Sequence, residues 1–371
     1  MKVGILTQPL RFNYGGILQN WALQNVLCQL GHEAITLDPR RYTPLYELPY
    51  RFVRHLGAMI LRKNYNRGLL PEIHRNHLTQ TKGMNTFLFI DNYINRREVC
   101  SYRSALCNEF DAFVVGSDQV WRPKYNPYQS AMFLDFTQES KVKKIAYAAS
   151  FGTDDWEFSQ EETNLFRELI KSFDAISVRE DSGVNLCKSN FSVEPKLLLD
   201  PTLLLNKNDY QSLVNSTNIK RHEGNLFVSF LDYSEPKIRL VEKLSVSYKL
   251  TPFFVNSRVE DNSAELKDQV QPPVEVWLRG FEDADCVVTD SFHVCVFSII
   301  YNKPFIALGN IERGLCRFES LFRLLDLDKQ LIMDTSNIDD INFEIAYNNV
   351  NAILDAKRKE SIEFLKNQLS S

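Results

Sequence analysis

Residues 2–39 read KVGILTQPLRFNYGGILQNWALQNVLCQLGHEAITLDP, and this stretch decides the fold class. Residues 2–7 are a short apolar strand. Residues 15–31 place Ile17, Trp21, Leu23, Leu27 and Leu30 at helical spacing, with Gly31 as the stop. Residues 34–37 form a second strand, which ends at Asp38-Pro39. Strand, helix and strand in succession make a crossover unit, the start of a parallel sheet.

The same alternation runs outward from there. Residues 111–115 (DAFVV) and 144–149 (KIAYAA) read as buried strands, 159–172 as a helix with Ser159 and Glu162 at capping-box spacing, 173–178 as a strand, 182–187 as a helix and 196–199 as a strand. A polar stretch at 206–224 is the expected linker. The pattern then restarts, with strands at 226–230, 252–255, 286–289 and 304–308 and helices at 235–248, 274–282 and 293–301. Residues 345–369 read as a long amphipathic helix. The expected fold is α/β, with two Rossmann-like doubly wound domains at 1–205 and 225–340. The last helix, 345–371, is expected to return to the first domain. A cleft between the domains, at the carboxyl ends of both sheets, is where ligands bind such folds.

Composition narrows the function classes. The 371 residues carry 43 Lys plus Arg against 47 Asp plus Glu, a net charge of -4, which argues against a dedicated nucleic-acid binder. The uncharged apolar stretch 291–302 is too short for a membrane-spanning helix, which needs about 20 residues, and the first apolar run is too short for a signal-peptide core. A cytoplasmic protein is expected. The seven cysteines form no CxxC pair and read as reduced thiols. His74 and His77 share a helix face but lack the neighbours of a metal site, so no metal is expected.

Polar residues gather where strands end. Gly15 and Gly16 open a helix whose free amides suit an anion or a sugar hydroxyl; the alternative is a tight turn that needs glycine. The run is not GxGxxG, so a dinucleotide is weakly supported. Gly116-Ser117-Asp118-Gln119-Val120-Trp121 follows a buried strand. There Asp118 can accept a proton and Trp121 can cover a sugar face, or they cap a helix and fill a core. Arg179 ends another strand and is placed to grip an anion in two-pronged fashion. The fullest cluster is Thr289-Asp290-Ser291-Phe292-His293, where helix-start amides and an imidazole converge on one anion and His293 can donate a proton. Arg313 and Arg317 follow the next strand and can reach the same anion or stay solvated.

Taken in order, NYGGILQNWALQ, VGSDQVW at 115–121, ISVRED at 176–181, LLLDPTLLL at 197–205, VVTDSFHVCVFSIIYNKPFIAL at 287–308 and NIERGLCRFESL at 310–321 resemble the polysaccharide pyruvyl transferase family. The resemblance implies a GT-B-like domain pair that transfers the pyruvyl group of phosphoenolpyruvate onto two hydroxyls of one sugar. The product is a cyclic ketal on a cell-surface or capsule glycan, often built on a lipid carrier, and no cofactor is needed. It implies His293 as the acid and Asp118 as the base or hydroxyl anchor. Arg179, Ser291, Phe292, His293, Arg313 and Arg317 fall to phosphoenolpyruvate, and Asn13, Tyr14, Gly15, Gly16, Gln19 and Trp121 to the acceptor. Many members have Arg-Leu-His where this chain has Ser291-Phe292-His293, so Arg313 or Arg317 is expected to replace the missing arginine. Two rivals remain: a nucleotide-sugar glycosyltransferase of the same fold, and an inactive glycan-binding relative.

Residues 40–103 break the pattern and read as a helical insert with no clear strand. Within it, Phe52, Val53, Leu56, Met59 and Ile60 fall on one helical face, and Arg51, Arg54, Arg62 and Lys63 lie beside them. This segment, 40–67, is expected either to touch a membrane surface, at about 1 kcal/mol for each basic residue near it, or to pack its stripe on its own domain.

Overall fold

The computed structural model describes residues 1–61, 70–102, 107–137, 141–255, 257–259, 261, 263–333 and 341–370. The opening unit is as the apolar pattern requires: β1 (Lys2–Leu6), α1 (Tyr14–Gln29) and β2 (Glu33–Pro39). After it come α2 (Leu48–Leu61), α3 (Pro71–Tyr93) and β3 (Arg96–Val99). The insert thus contains a strand after all. Its sequence, Arg-Arg-Glu-Val, has no apolar run to betray it, because β3 lies at the sheet edge and, among the described residues, pairs with β2 alone.

The first half continues with β4 (Ala112–Val115), α4 (Gln129–Met132), β5 (Lys143–Ala149), α5 (Gln160–Ile170), β6 (Ala175–Val178), α6 (Asp181–Leu186) and β7 (Lys196–Leu197). All seven strands are parallel, in the order β3-β2-β1-β4-β5-β6-β7. Then come α7 (Lys207–Asn215), β8 (Leu226–Ser229), α8 (Glu235–Tyr248), β9 (Pro252–Phe254), α9 (Val274–Asp283), β10 (Cys286–Thr289), α10 (Phe292–Ile300), β11 (Phe305–Leu308), α11 (Cys316–Leu325), β12 (Leu331–Ile332) and α12 (Tyr347–Leu369). The second sheet is also parallel, in the order β12-β11-β10-β8-β9. Central strands such as β4, β8, β10 and β11 are buried at every residue, as parallel strands covered on both faces must be.

The expected linker is not bare. It holds α7, whose Asn206 capping box starts the helix and whose Tyr210 ring is wholly buried between Trp21 of α1 and Phe297 of α10. Trp277 of α9 stacks on Tyr14 of α1 and meets Phe297 edge-on. One apolar core therefore runs continuously through α1, α7, α9 and α10 between the two sheets. Helix α12 lies against the first sheet: Ser361 accepts the Leu199 N–H at 3.2 Å, Arg358 donates to Leu203 O at 2.9 Å, and Lys143 donates to Gln368 O at 3.1 Å. No helix among the described residues is long and apolar enough to cross a membrane.

Candidate active site

Each sheet reverses its strand order once, between β1 and β4 and between β8 and β10. The loops after those strands leave in opposite directions and open a crevice at the carboxyl ends. The two crevices face each other and form one cleft of about 1210 Å³.

Beneath it lies an ion cluster, of which Asp118 lines the cleft. Arg179, at the end of β6, donates through one terminal nitrogen to Asp200 Oδ2 at 2.6 Å and through the other to Asp118 Oδ1 at 2.8 Å. All three side chains are buried almost completely. Asp118 follows β4 with φ 68°, a left-handed backbone tolerated by aspartate, and the N–H groups of Val120 and Ser150 fix its carbonyl. Asp200 also accepts the Thr202 N–H and hydroxyl through Oδ1. Burial pushes both carboxyls upward, but the Arg179 guanidinium between them outweighs it and lowers both below the usual aspartate value. Two ionised carboxylates thus clamp one guanidinium.

His293 comes in from the first turn of α10, with Nε2 4.0 Å from Asp200 Oδ2. Across the cleft, α1 presents Gly15 to the ring; a Cβ there would lie 2.1 Å from Nδ1. Burial lowers the pKa of His293 below 6.5, with Asp200 and Asp118 pulling the other way. Arg317, from α11, and Arg179 both lie over the ring of Phe292, at 5.4 and 5.1 Å from its centre. Arg317 pairs with no carboxylate among the described residues and reaches only Arg313 O, at 3.4 Å. Burial, then Arg179, lowers its pKa. His293 Nε2 and Arg317 Nε are both buried without a hydrogen-bond partner among the described residues. Unmet polar atoms at the bottom of a cleft suit a polar ligand.

Several expected contacts belong to the scaffold instead. Trp121 is fully buried, stacked on Phe133, with its N–H given to Met132 O, so it cannot cover a sugar. Gln19 is fully buried too; it accepts the Ser117 N–H and donates to Thr7 Oγ1. Asn13 caps α1 by accepting the Gly16 N–H at 3.3 Å, and the Tyr14 hydroxyl donates to Pro272 O. Asn13, Tyr14 and Gly15 nevertheless line the cleft. Arg179 has both terminal nitrogens committed and is a clamp rather than a grip. Arg313 is held in two-pronged fashion by Asp232, and the Ser291 N–H goes to Thr289 Oγ1. Of the two arginines, Arg317 is the one turned to the His293 pocket.

Sequence reading missed Asp200, although Asp-Pro after the Leu197–Leu199 run marks a strand end, as Asp38-Pro39 does. Asp290, named in the Thr289–His293 cluster, builds the far wall with partners the sequence did not show: it accepts the N–H groups of Leu231 and Asp232 and the Lys237 ammonium at 2.6 Å. Tyr233 and Phe254 stand half-exposed beside that wall.

A family model described as polysaccharide pyruvyl transferase matches residues 13–312; Arg317 lies just past its end. A search of curated protein sequences returns no match. Among solved structures, the chain is similar to Arabidopsis thaliana UGT89C1 complexed with UDP-L-rhamnose (7% identity, 98% of each chain covered, TM-score 0.50). It is also similar to UDP-GlcNAc 2-epimerase from Neisseria meningitidis bound to UDP-GlcNAc (11%, 99% of this chain and 94% of that one, 0.47). A third is Acinetobacter baumannii MurG (11%, 99% and 98%, 0.45). At such identities the likeness concerns the fold alone, which is the GT-B-like pair of Rossmann-type sheets.

Proposed function

The chain belongs to the polysaccharide pyruvyl transferase family, and from that membership we propose that it transfers the pyruvyl group of phosphoenolpyruvate to two hydroxyls of one glycan sugar. The observation that carries this reading is the pairing of Arg317 with His293, two buried groups with unmet nitrogens at the bottom of one cleft. Phosphoenolpyruvate needs a cation for its phosphate or carboxylate and an acid for its methylene carbon. Arg317 supplies the first and His293 the second.

The reaction balances with no further reactant. A proton from His293 converts the methylene to a methyl group and leaves C2 electron-poor. One sugar hydroxyl adds to C2, phosphate departs with the C2–O pair, and the second hydroxyl adds to close the ketal. Of the two hydroxyl protons, one restores His293 and the other leaves with phosphate. Asp118 is kept ionised by Arg179, so it is suited to hold the attacking hydroxyl by hydrogen bond more than to retain its proton. His293 is uncharged at neutral pH before the donor arrives, because burial disfavours the cation. The donor's negative charge beside the ring reverses that preference and arms the acid.

The test is transfer itself. Phosphoenolpyruvate and a glycan acceptor are expected to yield phosphate and an acceptor heavier by one pyruvate less one water. His293→Ala is expected to slow this about 10²–10⁴-fold. Glycosyl transfer from a nucleotide sugar, with phosphoenolpyruvate inert, would overturn the proposal.

A further inference from the structure

Helix α2 is turned inside out. In a helix that covers its own domain, the apolar stripe faces the core and charges face water. Here Arg51, His55 and Ala58, at four- and three-residue steps, face inward. His55 Nε2 lies 2.9 Å from Glu72 Oε1 of α3, and Arg51 lies 3.6 Å from the same atom. Tyr50, Val53, Leu56 and Ile60, also at three- and four-residue steps, face out at 71%, 66%, 40% and 77% exposure. Met59 joins them, and Leu45 and Tyr46 extend the face on the preceding turn. Phe52, at the edge of the stripe, is only partly covered.

The charge of the segment says what suits that face. Residues 40–67 hold seven Lys or Arg (40, 41, 51, 54, 62, 63 and 67) and one acid, Glu47, in a chain whose net charge is -4. Glu47 is held by Arg51 at 2.8 Å and Arg40 at 3.5 Å; Arg40, Arg41 and Arg51 also meet Glu98, Asp91 and Glu72, which leaves Arg54 as the described basic residue of the segment that faces water unpaired. Arg54 is exposed beside the stripe; Arg62, Lys63 and Arg67 lie outside the described residues. A second copy meeting the same face would set one positive segment on another, since a two-fold contact is self-complementary. An anionic surface meets it with the opposite charge. Tyrosines at the rim of an apolar face suit the boundary between headgroups and acyl chains.

We propose that this face docks on an anionic lipid bilayer, with Tyr50, Val53, Leu56 and Ile60 in the interface and Arg54 against headgroup phosphates. Helix α3 links the face to the cleft: Lys82 O accepts the Gln271 N–H at 3.0 Å, Asn85 donates to Gln271 O at 2.8 Å, and Gln271 lines the cleft. Docking therefore sets the cleft near the bilayer, where a lipid-borne glycan is held. The proposal does not depend on the chemistry assigned to His293.

The experiment is vesicle flotation of the whole chain with phosphatidylglycerol in phosphatidylcholine, compared with phosphatidylcholine alone. Binding is expected to the anionic vesicles, to fall with added salt, and to drop about tenfold or more in Val53→Asp/Ile60→Asp. Both positions are exposed, so thermal unfolding and phosphoenolpyruvate titration in solution should match the parent. No flotation of the parent, or equal flotation of the variant, overturns the proposal. So does a dimer in sedimentation that the double variant breaks, since a second copy would then cover the face.

Discussion

At the scale of single residues, donor binding turns on which arginine is already spoken for. Arg179 and Arg313 each sit between or against aspartates, whereas Arg317 meets none among the described residues. Arg317→Gln should therefore weaken phosphoenolpyruvate binding by about 1.5–3 kcal/mol, the worth of a charge-assisted contact. Arg313→Gln should weaken it much less, and isothermal titration of both variants checks the contrast. The second expectation concerns pH. Burial sets the pKa of free His293 below 6.5, so its protonated fraction is lost as pH rises through that lowered value. A bound anion raises it. The falling limb of kcat/KM should then lie at lower pH than the falling limb of kcat, once the donor's own titration is allowed for. Coincident limbs would remove His293 as the acid. The sequence made His293, Asp118 and Arg179 legible because each follows a strand at the end where ligands bind. It could not show that Arg179 is clamped or that Trp121 is buried, because partners from distant segments decide both: Asp200 for the first, Met132 and Phe133 for the second.

At the scale of elements, two helix starts from different sheets touch at the centre of the site. Gly15, in the first turn of α1, leaves room for the ring of His293 in the first turn of α10. Gly15→Ala places a methyl 2.1 Å from Nδ1, so the imidazole must swing away. Alanine suits a helix as well as glycine or better. Turnover should thus fall about 10²-fold or more, as for loss of an acid, while circular dichroism and the melting temperature change little. Near-parental turnover would show that the ring is not needed where it stands. Element reading from sequence succeeded wherever an apolar run was buried on both faces, as in β4, β8 and β10. It failed for β3, whose edge position needs no such run, and for α7, a short polar helix whose one buried flank is Tyr210, Leu213 and Val214. The amphipathic stripe of α2 was plain in the sequence. Its direction was not, because the inward anchor is Glu72 of another helix.

At the scale of the whole molecule, the two sheets share a core. Tyr210, Trp277 and Phe297 bridge α7, α9 and α10, and Tyr14 and Trp21 carry the contact into α1. An interface this apolar couples the halves more tightly than the polar contacts usual between domains. Calorimetry should therefore show one unfolding transition, and Trp277→Ala should lower its midpoint, since losing a buried tryptophan costs about 3–5 kcal/mol. Two separate transitions in the parent protein would contradict the shared core. The repeated strand–helix alternation made two Rossmann-type sheets legible from the sequence, and the switch points placed the cleft. The sequence allows two occupants of that cleft, a nucleotide sugar or a small enol phosphate that carries both a phosphate and a carboxylate. One pair of titrations decides it: phosphoenolpyruvate and UDP, each into the parent protein and into Arg317→Gln. Saturable heat is predicted for phosphoenolpyruvate alone, weakened by the substitution. Binding of UDP with no response to phosphoenolpyruvate would contradict the account.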